Sequence, residues 1–364
     1  MSAVYYVTLF LVFVLAYLAQ ERGEVTGALI KLEDGNTRHR PDRLFVILAS
    51  LVLIFVAGCR YYVGTDFGYY YKDIVGGFSA FWRHLWAYKE PGIWLVGAVG
   101  RLFADNGGSV IFMASLFTVG LYMIQIYKHA NMYLVSMLLF MFLGTWDGSF
   151  NGVRQYMAAA VLFAGHRFIL ERKFIKYLIV VFLASLCHTS ALIMIPVYFI
   201  FLRKLDGWQL LIMAVGAVAI RFSYDLVFSA VGFLKGQEVV MNDYSTNSVN
   251  ILRIIVNMVP VGVYLLFCEK KNLTREESFY LTGIILNGFV YVATMQSTYL
   301  ARAGIYTDSF AILGYGYLFK LIKNEKTRTF LMIAAMVLFF VYWRYAIVHS
   351  TALNDFKWIW EAGA

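Results

Sequence analysis

The sequence predicts an all-α integral membrane protein. The expected architecture is a polytopic bundle of about twelve transmembrane helices plus a short re-entrant or interfacial helix, with both termini extracytoplasmic. Three observations predict it. Hydrophobic residues make up 61% of the 364 residues and charged residues only 15%, whereas soluble domains are about 45–50% apolar and about 25% charged. The mean hydropathy is +0.67. Apolar runs also recur along the whole chain, beginning near Val4, Leu44, Val110, Met132, Gly152, Phe174, Thr189, Trp208, Val249, Ser278, Ala303 and Thr329.

Each run is long enough to cross a bilayer, some only with tilt, because a spanning helix takes about 20 residues. The crossings use up the chain, so residues 1–364 are expected to form one transmembrane domain. The first run, from Val4 to Ala19, has no basic leader and is followed by a basic segment, so it is expected to be a retained helix. Residues 174–202 fit either two spans or one kinked segment. The stretch 92–103 is too short to span and is interrupted by Gly97, Gly100 and Arg101, which suggests the re-entrant or interfacial helix.

Charge sets the orientation. The loops 20–43, 128–131, 167–176, 203–206, 269–277 and 320–328 alternate to one side and carry 19 of the 31 Lys and Arg residues. The positive-inside rule puts them in the cytoplasm. Segments 60–91 and 222–250 then lie on the extracytoplasmic face, where long polar connections favour binding and chemistry. The net charge of +9 is explained by this topology, so nucleic acid is not an expected partner. Cys59, Cys187 and Cys268 have no metal-ligand spacing and read as small hydrophobes. The sequence has no phosphate-binding glycine loop, dinucleotide turn or His-Glu zinc helix, so neither a cofactor nor a metal is expected.

Four clusters fall on the expected outer face. Residues 59–71 hold Arg60, Thr65, Asp66, Tyr69 and Tyr70 beside a turn glycine. Tyrosine faces and hydroxyls suit sugar rings, and Asp66 could orient or deprotonate a hydroxyl; an aromatic belt with a capping aspartate fits equally well. Asn151, Arg154 and Gln155 open an alanine-rich helix, and their spacing puts Arg154 and Gln155 on the same side as Asn151. A charge inside a membrane helix suggests function, with snorkelling to headgroups as the alternative. His188, followed by Thr189 and Ser190, joins two apolar runs and is a candidate base or acid, or a satisfied polar residue. Tyr299, Arg302 and Tyr306 begin another helix, with Arg302 and Tyr306 one turn apart. Arginine forks match phosphate oxygens, so Arg60, Arg154 and Arg302 suggest a diphosphate, although each also fits an ion pair or a lipid contact.

In this order the motifs resemble the EpsG family of bacterial exopolysaccharide polymerases, which are functionally akin to the Wzy O-antigen polymerases. The likeness runs from Arg60 with Gly64-Thr65-Asp66, through Arg154-Gln155 and His188-Thr189-Ser190, to Arg302 with Tyr306. It implies glycosyl transfer at the outer face of the bacterial cytoplasmic membrane. A polyprenyl-diphosphate-linked oligosaccharide would pass to a hydroxyl of another lipid-linked repeat unit, without metal. Membrane lipid surrounds such an enzyme, and a flippase and a chain-length regulator of the same pathway are its expected partners. On this reading Arg154 and Arg302, aided by Arg60, stabilise the departing diphosphate while His188 or Asp66 activates the acceptor; Thr65, Tyr69, Tyr70, Asn151, Gln155, Tyr299 and Tyr306 bind substrate. A lipid-linked sugar ligase, a flippase or an acyltransferase are the rival readings.

Overall fold

A computed structural model of the chain describes residues 1–31, 37–226, 229, 248–270 and 272–361. Most of the expected outer segment 222–250 therefore lies outside the described residues. The first half contains α1 (Ala3–Thr26), then the small antiparallel hairpin β1 (Leu29–Lys31) and β2 (Thr37–His39), then α2 (Arg43–Gly58), α3 (Phe67–Lys72), α4 (Gly77–Trp86), α5 (Gly92–Arg101), α6 (Gly107–His129), α7 (Tyr133–Phe142), α8 (Thr145–Gly148), α9 (Val153–Ala164) and α10 (Arg167–Leu170). The second half contains α11 (Phe174–Cys187), a 3-10 turn (Thr189–Ile193), α12 (Met194–Ile200), α13 (Gly207–Phe222), α14 (Ile251–Phe267), α15 (Arg275–Ala293), a second 3-10 turn (Leu300–Ala303), α16 (Gly304–Lys320) and α17 (Glu325–Val348).

Helix starts follow from local chemistry. Asp42, Asn106, Asp206 and Asn324 each accept a backbone N–H of the first turn, and Thr274 with Glu277 forms a reciprocal capping box on α15. Three helices, α1, α6 and α17, are 23 or 24 residues long and apolar enough to cross a membrane. Other apolar helices have 10–17 residues, since turns and 3-10 segments divide the apolar runs. Residues 174–202 double back on themselves rather than forming one kinked rod. Tyr177 donates to the Met194 carbonyl at 3.1 Å and the Phe174 and Tyr198 rings lie 4.8 Å apart, so α12 runs back along α11. The expected outer segment 60–91 contains α3 and α4, and the stretch 92–103 contains α5, which packs along α6.

The interior is built on α15 and α16; in α16 every residue from Gly304 to Phe319 is buried. The outer helices turn apolar stripes outward: Val7, Phe10 and Phe13 on α1, Leu44, Ile47 and Leu51 on α2, Leu211, Ile212 and Val215 on α13, and Phe330, Ile333 and Val337 on α17. Such a surface is incompatible with water at this extent and fits lipid.

The bundle has two distinct ends. The basic loops meet at one: Arg167 pairs with Glu276 at 3.1 Å, Arg172 reaches the Leu202 carbonyl at 3.2 Å, Leu205 N donates to Ser278 Oγ at 2.7 Å, and Lys323 pairs with Glu269. Buried Arg38 donates to the Lys128 carbonyl and ties the first loop to the second. At the other end the C-terminal segment folds back on the N-terminus and on the turn after α2. Ser2 N donates to Asn354 O at 3.1 Å, Tyr61 N to Lys357 O at 2.8 Å and Ile359 N to Cys59 O at 2.8 Å. The two ends of the chain thus lie together, away from the basic loops.

Candidate functional site

The candidate residues gather at the end opposite the basic loops, in two groups that adjoin where Gln155 meets the Tyr306 hydroxyl. Arg60 stands apart from both. Its side chain is 2% exposed and donates to the carbonyls of Ala57 and Val63 and to Ser115 Oγ, with its guanidinium 4.6 Å from the Phe150 ring centre. Burial pushes its pKa down to about 9, which leaves it charged at neutral pH. It braces the turn that leaves α2. The next residues of that turn sit against α9's leading segment: Gly64 has φ +100°, and a Cβ there would lie 2.1 Å from the Phe150 carbonyl oxygen. This approach lets Thr65 N donate to Asn151 Oδ1 at 2.9 Å. Asp66 precedes α3, and its Oδ1 accepts from Thr65 Oγ1 at 3.1 Å.

The first group is centred on Glu90, which the motif reading passed over. Arg154 uses two edges of its guanidinium, donating from Nη1 to Glu90 Oε2 at 2.7 Å and from Nε to Tyr70 Oη at 3.2 Å, and it lies 5.7 Å from the centre of the Tyr69 ring. Tyr70 is buried, and that burial raises the pKa of its phenol. The other carboxylate oxygen, Glu90 Oε1, accepts from Thr189 N at 2.9 Å and Thr189 Oγ1 at 3.1 Å, and faces His188 Nδ1 at 3.4 Å. Ser190 Oγ lies 3.0 Å from the same His188 nitrogen and 2.6 Å from Tyr306 Oη. One polar chain therefore links Tyr70, Arg154, Glu90, His188, Ser190 and Tyr306.

Local backbone explains how Glu90 reaches this position. Its φ is +48°, a left-handed conformation that costs a non-glycine residue of order 1 kcal/mol or more and persists where surrounding contacts over-determine it. Gly92 then lets α5 abut the end of α11, since a Cβ there would lie 2.8 Å from Cys187 Sγ and 3.0 Å from Cys187 Cα. The signal for Glu90 was the run Lys89-Glu90-Pro91-Gly92, an acidic residue fixed at a Pro-Gly helix start.

The second group lines a cavity of about 290 Å³ between the end of α7, α8, α9, α14, α17 and the 3-10 turn before α16. Asp147, Asn151, Gln155, Arg253, Thr298 and Arg302 contribute its polar wall. Gln155 Nε2 donates to the Arg302 carbonyl at 2.9 Å and so fixes α9 to that turn. Asp147 accepts from Trp343 Nε1 at 2.9 Å. Tyr299 lies half-buried two residues past Ser297, at the head of the same turn. Arg253 and Asp147 are further functional candidates that motif reading missed. Both are charges embedded in apolar surroundings, the signal that singled out Arg154.

Chemically, the first group can take up and pass on a proton. His188 Nδ1 accepts from Ser190 N at 3.3 Å and faces Glu90 Oε1 at 3.4 Å, and the carboxylate stabilises the imidazolium that forms when the ring takes up a proton. The second group places two arginines, Arg253 and Arg302, on the wall of one cavity, and guanidinium groups suit anions. Among the described residues, no three or more His, Cys, Asp or Glu side chains gather as a metal site, and Cys59, Cys187 and Cys268 are unpaired thiols.

No curated protein and no solved structure matches the chain. The EpsG family profile matches residues 43–359 of 364. With the helical fold, the apolar exterior and the ordered motifs, this match establishes that the chain belongs to the EpsG family.

Proposed function

We propose that this protein is an exopolysaccharide polymerase that moves an oligosaccharide from its polyprenyl diphosphate to a hydroxyl of a second lipid-linked repeat unit. It does so without metal, on the outer face of the cytoplasmic membrane. About twelve crossings put both termini and the site outside and the basic loops in the cytoplasm. The observation that carries the reading is the pairing, at one end of the bundle, of the Glu90–His188 couple with a cavity walled by arginine. The site lies at the end opposite the basic loops, which supports the outer location.

In the reaction, the acceptor hydroxyl oxygen attacks the anomeric carbon of the donor sugar and a new C–O bond forms. The old bond to the diphosphate oxygen breaks, and the lipid diphosphate leaves with the electron pair. The His188 ring takes the hydroxyl proton, with Glu90 beside the imidazolium that forms, and later releases it to water. General-base help of this kind is typically worth about 10² to 10⁴ in rate. Asp66, which engages Thr65 Oγ1, serves the turn rather than the proton. Arg302 stabilises the charge that develops on the diphosphate, an effect typically worth about 3–4 kcal/mol per preorganised donor. Arg154 holds Glu90 and Tyr70 in place; Tyr69 and Tyr299 offer ring faces and hydroxyls to the sugars, whereas Tyr70 and Tyr306 are buried and serve by holding Arg154 and Ser190.

The test is to incubate the protein in nanodiscs with a lipid-diphosphate-linked repeat unit, with and without chelator, and to resolve the products by size. A chelator-resistant ladder that vanishes in Arg154→Ala supports the reading. A single added unit would mark a ligase, and bound but unchanged substrate would mark a transporter.

A further inference from the structure

Residues 154 and 155 are neighbours on α9, about 100° apart around the helix; Arg154 serves the first group, while Gln155 lines the cavity and also meets the Tyr306 hydroxyl where the two groups adjoin. Arg154 is bound to Glu90, so its side forms a neutral ion pair beside His188. An anion entering there would have to compete with the Glu90 carboxylate for the same guanidinium. Gln155 lines the cavity, whose wall, among the described residues, carries Arg253 and Arg302 and the carboxylate of Asp147.

Arg253 is held in place from behind. Its Nη2 donates to Tyr291 Oη at 2.8 Å and its guanidinium lies 4.7 Å from the centre of that ring. The Tyr291 hydroxyl in turn donates to Asp308 Oδ2 at 3.0 Å, and Asn287 Nδ2 donates to Asp308 Oδ1 at 3.0 Å. Tyr291 is 1% exposed and Asp308 4%. A guanidinium carries five N–H donors, and the bond to Tyr291 occupies one. The buried phenol and carboxylate thus orient a cation at the cavity wall. The fork remains suited to phosphate oxygens, and its orientation is settled before any ligand arrives.

We infer that the two lipid-linked substrates occupy chemically distinct subsites on two sides of α9. The cavity walled by Arg253 and Arg302 takes the donor's diphosphate, and the neutral Glu90–Arg154 pair beside His188 takes the acceptor's sugar hydroxyl. This assignment rests on the polymerase reading. Tyr291 and Asp308 are positioning residues that act through Arg253.

The experiment measures binding of geranylgeranyl diphosphate and geranylgeranyl phosphate to the full chain in nanodiscs, in parallel with the ladder assay. Arg253→Ala should weaken diphosphate binding about tenfold or more, as expected for losing hydrogen bonds to a charged group. The preference for diphosphate over monophosphate should shrink with it. Arg154→Ala should stay within about twofold of wild type in this binding assay. Tyr291→Phe keeps the ring and its packing; it should weaken diphosphate binding several-fold and thereby reads the same link if Arg253→Ala fails to fold. Wild-type diphosphate affinity in both Arg253→Ala and Tyr291→Phe would overturn the assignment, as would a loss in Arg154→Ala equal to that in Arg253→Ala. A wild-type ladder with unchanged binding in Arg253→Ala would remove the subsite and spare the polymerase. Loss of diphosphate binding in Arg253→Ala, with no ladder from wild type, would remove the polymerase and leave a diphosphate-binding cavity.

Discussion

At the basic end of the bundle Arg167 donates to Glu276 at 3.1 Å, and Tyr317 donates to the same carboxylate oxygen at 3.1 Å. At the opposite end Arg154 donates to Glu90 at 2.7 Å, and Tyr70 accepts from the same guanidinium. The residue types match, yet the surroundings do not. The Glu276 side chain is 3% exposed and Arg167 19%, whereas Glu90 is 15% exposed and Arg154 36%. The first pair is a closed lock between loops. The second stays reachable and adjoins His188 and a cavity. An arginine–carboxylate pair therefore says little about function until its access to ligand is known, because the same attraction serves packing when sealed and chemistry when open.

If the comparison holds, substitutions at the open end should damage turnover and those at the sealed end should damage stability. The largest effect is expected for His188→Ala, with initial polymerisation rates falling about 10² to 10⁴ while the folded protein is recovered normally; Asp66→Asn should change the rate little. Full activity in His188→Ala would rule out its role as base. Next comes Glu90→Gln, which keeps the shape but removes the charge that holds both Arg154 and His188. A rate loss of roughly ten- to a hundredfold is expected, from hydrogen bonds to charged groups worth about 1.5–3 kcal/mol. Arg154→Lys keeps the charge and loses the fork that spans Glu90 and Tyr70, so about a tenfold loss is expected; an unimpaired Lys variant would show that the fork is dispensable.

Effects at the sealed end should appear in unfolding rather than rate. Arg167→Ala leaves Glu276 with less compensation, and thermal or denaturant unfolding in detergent should show a loss of about 2 kcal/mol. That lies below the roughly 3–5 kcal/mol of a fully buried pair, because Arg167 keeps some contact with solvent. Activity per folded molecule should be unchanged, and a rate loss there would break the comparison. The smallest effect belongs to Arg203→Ala. Arg203 and Asp206 are both about half exposed, and although the hydrogen bond from Arg203 lowers the Asp206 pKa, solvent screens the pair. Neither unfolding nor turnover should move measurably.

Much of the fold was legible along the chain. The apolar runs located the helices, and loop charge separated one end from the other. Residues 174–202 were not legible, because one kinked helix and a hairpin have the same hydropathy; Tyr177 against Met194 decides between them. Site residues divided in a similar way. Arg154 and His188 drew attention as polar residues inside apolar sequence, and Tyr306 as one turn from Arg302. Arg60 carried the same signal, but its donors turn back to the carbonyls of its own turn. Glu90 was missed because a lone carboxylate before a Pro-Gly pair resembles any loop.

The sequence by itself determined the solvent, the helical class and the family, since hydropathy and ordered motifs are written residue by residue and need no knowledge of contacts. Only the tertiary structure decided which charges meet. It brought Glu90 to Arg154 and His188, separations of 64 and 98 positions, and placed Arg253 with Arg302 around a single cavity. Such pairings depend on how helices cross and where a backbone can approach another, as at Gly64 and Gly92. Local spacing carries no record of either.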